Sequence, residues 1–303
     1  MRPYEAVVIG GSFAGLSAAM QLARARRRIL IIDEELPRNR FAPESHGFFG
    51  QDGRTPAEIV QTGRSQVLAY PTAELRIDEA TTAAQRNGAF DITLASGTTV
   101  SASRLVLATG VIDELPEIPG LRERWGVSVL HCPYCHGYES KDGRLGVLAA
   151  GETNLHIALL LPDWSADVTL FTNGTFDPSD EQRAKLAARG VRVEPRRVAE
   201  LLGTGPALSA VRVRGAEGDE VVPLDAMFIA SRTRMASPLA EQLGCAFDDG
   251  PLGPVIRTDE KKQTTVAGVF AAGDAARSWH NATVASADGV LAGVAAHQSL
   301  ALG

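Results

Sequence analysis

The stretch Ala6-Val7-Val8-Ile9-Gly10-Gly11-Ser12-Phe13-Ala14-Gly15 decides how the rest of the chain is read. Four apolar residues in a row suit a strand buried on both faces of a sheet. Glycines stop the strand, and Leu16, Ala19, Met20 and Ala23 then recur on one helical face. A second apolar run, Ile29 to Ile32, ends at Asp33. Strand, glycine turn, helix, strand and acid make the βαβ unit that binds a dinucleotide. Gly10 allows the tight turn, the middle position lets a phosphate approach, and Gly15 admits close helix–strand packing. The helix start, at Phe13 and Ala14, offers amides and a partial positive charge to the pyrophosphate. Ser12 replaces the middle glycine, and its hydroxyl is expected to donate to phosphate. Asp33 is placed to accept from an adenosine ribose. A purely structural glycine turn is the competing reading, and the flanking strand, helix and acid disfavour it. The motif alone does not separate FAD from NAD.

Outward from this unit, a polar stretch runs from Pro37 to Pro56, and Ala57 to Leu68 reads as a helix. Short alternating strands with turns at Asn87-Gly88 and Ser96-Gly97 fill about 75 to 104. Leu105 to Thr109 is another buried strand, stopped by Gly110. Asp113 to Gly120 carries two prolines and reads as a linker. A second strand–Gly–helix–strand unit follows: Leu145 to Leu148, Gly151, a helix near Thr153 to Leu161, and Val168 to Phe171. Alternating strands occupy 191 to 229. Val269 to Asp274 is a buried strand ending in Gly-Asp, and a last helix runs from about Ala282 to Leu300. The expected fold is α/β: two nested Rossmann-like dinucleotide-binding domains with β-meander insertions.

Composition agrees with a soluble enzyme. The 303 residues are 45% hydrophobic and 22% charged, enough chain for about two domains. The net charge of −6 leaves no electrostatic footprint for nucleic acid or an anionic membrane. No apolar run approaches the ~20 residues of a membrane span, and no signal-peptide core follows Met1. The expected location is cytoplasmic, without membrane or nucleic-acid partners.

Two of the three cysteines are paired in sequence, His131-Cys132-Pro133-Tyr134-Cys135-His136. Zinc is disfavoured because no second CxxC or HxxxH accompanies them, so no metal site is expected. A structural disulfide is disfavoured in the cytoplasm. A redox dithiol remains, its thiolate favoured by a helix start and a nearby imidazolium. Pro133 suits the first helical turn. His136 is the first acid/base candidate and His131 the second, against the plainer reading of surface or packing histidines. Cys245 is expected to be a small packing residue.

Taken in order, Gly10 to Gly15, Leu105-Val-Leu-Ala-Thr109-Gly110, Cys132 to Cys135 and Val269-Phe-Ala-Ala-Gly273-Asp274 resemble the low-molecular-weight thioredoxin reductases over almost the whole chain. That resemblance implies FAD in a domain made of 1–111 and 237–303, with Arg40, Ala80, Thr109, Gly110 and Gly273 among the residues around it. It implies that Asp274 bonds the ribityl chain. Asn281, Ala282 and Thr283 would open a helix aimed at the pyrimidine end of the flavin, where reduced flavin is negative. It makes Cys135 the thiol that faces the flavin, Cys132 the outer thiol that meets substrate, and the protein a homodimer. The domain 112–236 would carry the CxxC and bind NAD(P)H.

Here the sequence departs from the resemblance. The second glycine turn reads Ala149-Ala150-Gly151-Glu152-Thr153-Asn154, keeping one glycine of three. No arginine pair for a 2′-phosphate lies in 169–182, and Thr172 stands where an NADH enzyme has an acid. Ser231 to Met235 replaces a common Gly-His-Ser-Pro run. Either the domain has drifted and binds NAD(P)H by other contacts, or nicotinamide is not the redox partner. CxxC followed by histidine resembles the dithiol oxidases of gliotoxin and holomycin biosynthesis, which pass electrons to O2. The expected partners are then a small-molecule dithiol and O2. The alternatives are a thioredoxin-like protein reduced with NAD(P)H, a ferredoxin-fed variant, or a non-catalytic flavin sensor. His46, Phe48, Phe49, Trp279 and His280 are candidate pocket residues, though packing explains the aromatics equally well.

Overall fold

Tyr4–Ile9 pairs in parallel with Ile29–Asp33 on one side and Thr99–Leu107 on the other, placing Val7 opposite both Leu30 and Leu105. The computed structural model describes residues 3–303. These strands belong to a seven-stranded sheet ordered Ala73–Ile77, Ile29–Asp33, Tyr4–Ile9, Thr99–Leu107, Ala89–Leu94, Ala80–Arg86, with Val269–Ala271 also paired to Thr99–Leu107. The first four and Val269–Ala271 run parallel; the hairpins through Asn87-Gly88 and Ser96-Gly97 run antiparallel. The continuous apolar runs follow from burial on both faces. Val7, Leu30 and Leu105 pack towards the hairpins and the 239–256 segment. Val8, Ile31 and Val106 pack towards the first helix, Phe13–Arg24, and the last, Ala282–Leu302.

Those two helices touch backbone to backbone. A Cβ on Gly289 would sit 2.0 Å from the Ala14 carbonyl oxygen, and one on Gly293 would sit 2.5 Å from that of Ala18. Between them and the sheet, Asp288 is fully buried. It accepts from Arg277 Nε at 2.9 Å and pairs with Lys262 at 2.9 Å. Both cations are needed there, because an unpaired buried carboxylate costs several kcal/mol, on the order of ~3–5. The pairing pins the segment from Gly273 to Asn281 against the last helix.

A second sheet is wholly parallel: Arg192–Glu194, Val168–Phe171, Leu145–Leu148, Ala226–Ile229 and Val129–Leu130. A three-stranded antiparallel meander, Val198–Thr204, Ala207–Val213 and Glu220–Pro223, covers part of it. Three features differ from the sequence reading. The expected linker opens inside a strand: Val111–Glu114 pairs antiparallel with Arg232–Met235, so the two crossings between sheets satisfy each other's backbone groups. The helix expected over 153–161 is broken, with only Leu155–Leu160 α-helical between two 3-10 turns. Asp180–Ala188 is an additional helix, opened by a capping box between Ser179 and Gln182.

The helix contact makes a direct prediction. Gly289→Ala is expected to lower stability by about 1–3 kcal/mol, because its methyl meets backbone that cannot swing away. Gly63→Ala meets only the tip of the Leu16 side chain, at 3.2 Å, and is expected to cost far less. Thermal unfolding of the two variants reads the difference; equal melting temperatures would show that the helix contact is not tight.

Candidate active site

The first glycine turn forms a cradle with no room for side chains. Gly10 has φ +103°, and a Cβ there would lie 2.3 Å from the Ala108 carbonyl oxygen. A Cβ on Gly15 would lie 1.8 Å from the Gly10 carbonyl oxygen. Gly273, with φ +74°, packs so near the first helix that a Cβ would meet that of Ala14 at 2.8 Å. The helix start, the Ala108-Thr109-Gly110 turn and the Gly273-Asp274 turn thus converge. Ser12 is the helix N-cap, yet its side chain makes no capping bond. Its hydroxyl is therefore free for a ligand at the helix start, as a pyrophosphate requires. Phe13 packs edge-on against Phe48, with centroids 5.8 Å apart. The cradle fits a dinucleotide.

Several expected contacts are more engaged than the sequence suggests. Asp33 accepts from the Gly11 N–H at 2.9 Å and from Arg64 at 2.9 Å, so it braces the turn as well as facing it. Asn281 caps the last helix, accepting from the N–H of Thr283 at 2.8 Å and of Val284 at 3.3 Å. Ala282 opens that helix, but its N-terminal amides are partly spoken for. Ala80 is buried in the core opposite Leu94. Arg40 folds back on its own turn, donating to the Pro37 carbonyl at 2.9 Å and covering the Phe41 ring. The arginine that reaches the cradle is Arg38, which donates to Asp274 at 2.9 Å and to both oxygens of Asp113. Arg38-Asn39-Arg40 carries two arginines, and nothing in the sequence says which turns inward.

Cys132 has extended backbone and N-caps the single-turn helix Pro133–His136, which places Cys135 on that turn. Both are free thiols. The Cys135 thiol hydrogen-bonds the Cys132 sulfur and holds its pKa down, against burial and with help from the N–H groups of Cys135 and Tyr134. The same bond, with burial, pushes Cys135 up. In the reduced pair the negative charge therefore belongs on Cys132. The expected imidazolium is absent at neutral pH. Burial, with the Arg38 charge, pushes His131 down to about 4, and burial also lowers His136 and His280. Thiolate stabilisation at Cys132 comes from S–H and N–H donors instead. His131 and His280 face each other with ring centroids 6.4 Å apart, and the Nδ1 of each is buried without a partner among the described residues. His280 lies in the turn before the last helix, so only the tertiary fold brings it to the redox pair.

His46 reaches the other flank. Its ring lies 3.5 Å from Glu139, 3.5 Å from Glu44 and 3.6 Å from Asp52. With Leu130 and His136 it lines a small cavity of about 80 Å³. Phe49 and Trp279 are exposed, 97% and 72%. Cys245 is buried in the core and bonds Thr264 at 3.5 Å, as a packing residue does.

The second glycine turn differs from the first. Asn154, buried, stands where the first turn has Gly15 and accepts from the Ala150 N–H at 2.7 Å. Glu152–Asn154 is a 3-10 turn, so no regular helix begins there as one does at Phe13. Thr172 is fully buried and its hydroxyl has no partner among the described residues. A feature the sequence did not reveal is Arg197, whose side-chain stem lies 3.7 Å from the Cβ position of Gly174, beside this strand end.

Comparison with known proteins places the chain. The family described as pyridine nucleotide-disulphide oxidoreductase matches residues 4–289. The chain is 35% identical to a thioredoxin reductase, tcpT, of Claviceps purpurea, over 98% of this chain and 94% of that protein. Among solved structures it is similar to an oxidoreductase from Agrobacterium tumefaciens, at 48% identity and a TM-score of 0.93, covering 99% of both chains. It is also similar to a protein named HlmI, at 38% identity and a TM-score of 0.89, covering 99% of this chain and 93% of that one. The family match over residues 4–289, with similarity to a thioredoxin reductase along almost the full length, makes the chain a member of the pyridine nucleotide-disulphide oxidoreductase family, of thioredoxin-reductase-like type.

Proposed function

We propose that the protein is an FAD-dependent oxidase of small-molecule dithiols that uses O2 as acceptor. Residues 1–111 and 237–303 hold the cofactor, and 112–236 carry the redox pair. The observation that carries this reading is the altered second glycine turn: a 3-10 turn stands where a pyrophosphate needs a helix start, and Asn154 replaces the third glycine, bonded to the Ala150 N–H. Glu152 adds a negative charge at the same turn.

In the oxidised pair, a substrate thiolate attacks the Cys132 sulfur and Cys135 leaves as thiolate. The second substrate thiol then attacks the mixed disulfide at the substrate sulfur. Cys132 is expelled, and the product leaves as a disulfide. The S–H and N–H donors around Cys132 make it the better leaving thiolate. His136, neutral at pH 7, is the base candidate for the thiol protons, whereas His131, held down at about 4, is too weak a base for that role. Bound FAD would supply the two-electron acceptor for the pair, one that O2 can reoxidise. The sum is dithiol plus O2 to disulfide plus H2O2. A second reading, an NAD(P)H-dependent reductase of a thioredoxin-like protein, is favoured by one observation: Arg197 supplies a cation beside Gly174, just past the end of Val168–Phe171.

Anaerobic titration separates the two. Dithiothreitol is expected to bleach the flavin, and air to restore it with one H2O2 per turnover; NADPH and NADH at micromolar concentration are expected to leave it oxidised. Rapid bleaching by NADPH would instead establish the reductase. Cys132→Ser and Cys135→Ser are each expected to keep the bound flavin but lose bleaching by dithiothreitol.

Histidine burial fixes a pH dependence. A histidine whose pKa falls on folding stabilises the protein above its unfolded value near 6.5, and that contribution is lost as pH falls towards the folded value. For His131 the window runs from about 6.5 to about 4, and His136 and His280 act in the same direction. The wild-type melting temperature is expected to drop across this window, and His131→Asn to drop less. Parallel curves would place the pH dependence elsewhere.

A further inference from the structure

Three separate segments meet on Arg38. Its Nε and Nη2 donate to Asp113 at 2.8 and 2.6 Å, and its Nη1 donates to Asp274 at 2.9 Å. Asp113 lies on Val111–Glu114, one of the two paired strands between the sheets. Ser231, at the foot of the other, donates to the same carboxylate at 2.6 Å. Asp274 belongs to the Gly-Asp turn seated on the first helix. The Arg38 and Asp113 side chains are only 19% and 6% exposed. A planar fork that serves two carboxylates at once is a task for arginine and not for lysine.

The chemistry around this network gives its charge a purpose. Asp113 and Asp274 place two carboxylates near His131, the residue next to a pair that must carry negative charge when reduced. Of the charges that act on Cys135, Glu139 opposes its thiolate and Arg38 favours it. His131 faces Asp113 and Asp274, which favour its protonation, and Arg38 and His280, which oppose it. Without the guanidinium, Cys135 would lose its stabilising cation and His131 would confront two uncompensated carboxylates.

We propose that Arg38 is the positioning residue of the redox centre: it locks the Gly273-Asp274 turn to the paired linker strands and holds a permanent positive charge beside Cys135 and His131. The proposal rests on Cys132–Cys135 being the redox pair, and not on the identity of the electron acceptor.

The test uses flavin-loaded Cys132→Ser protein, in which Cys135 titrates without its partner. Iodoacetamide labelling of Cys135 is followed against pH by peptide mass, which separates it from buried Cys245. Arg38→Gln and Arg38→Met, two neutral replacements in case one fails to fold, are expected to move the labelling midpoint up. Labelling below that midpoint should slow about tenfold, the equivalent of about one pKa unit. Arg38→Lys keeps the charge but not the fork. It is expected to label within about twofold of the parent while melting at a lower temperature. A profile unchanged in the folded neutral variant, or one moved equally by lysine, overturns the proposal. Dithiothreitol bleaching of wild type against Cys135→Ser reports separately whether the pair is the redox centre.

Discussion

The contact on which the site depends is between the first and last helices. Gly289 lies against the Ala14 carbonyl and Gly293 against that of Ala18, a closeness that no side chain on the last helix permits. It draws the Gly273-Asp274 turn and the Asn281 cap onto the start of the first helix, from more than 250 residues away in sequence. Asp288, held by Arg277 and Lys262, keeps the connecting segment from drifting. Small residues supply proximity and a buried ion cluster supplies register, so the dinucleotide cradle is assembled from both ends of the chain.

Electrostatics then divide the two cysteines. They occupy one helical turn and burial acts on both, yet the hydrogen bond between them gives the charge to Cys132. The surrounding histidines are kept neutral by burial, with Arg38 adding to the effect at His131, so they supply no fixed charge beside the pair. This arrangement suits exchange with an external thiol at Cys132, because a sulfur that carries charge easily also leaves easily. The second glycine turn shows the opposite economy. Asn154 replaces its third glycine, and the short 3-10 turn there lacks the aligned amides of a longer helix.

The cradle and the redox turn were legible because each is a local pattern. Gly10, Gly15 and Asp33 obey short-range steric rules, and Cys132-Pro133-Tyr134-Cys135 is contiguous. The Asp180–Ala188 helix was readable too, from Ser179 and Gln182, but its weakly apolar surface gave no helical stripe. Broken regularity was harder to see: the 153–161 segment has helical composition, and its fragmentation follows from how Asn154 turns inward.

Sequence alone determined the α/β class, the first glycine turn, the Cys-x-x-Cys pair and the erosion of the second glycine turn, because all four are written in neighbouring residues. Tertiary structure decided that Arg38 and not Arg40 meets Asp274, that His280 faces His131, that Arg197 stands beside Gly174, and that the linker strands are paired. Those outcomes depend on which distant segments share a surface and which charges are taken out of water. Both are set by the packing of the whole chain, so no local pattern encodes them.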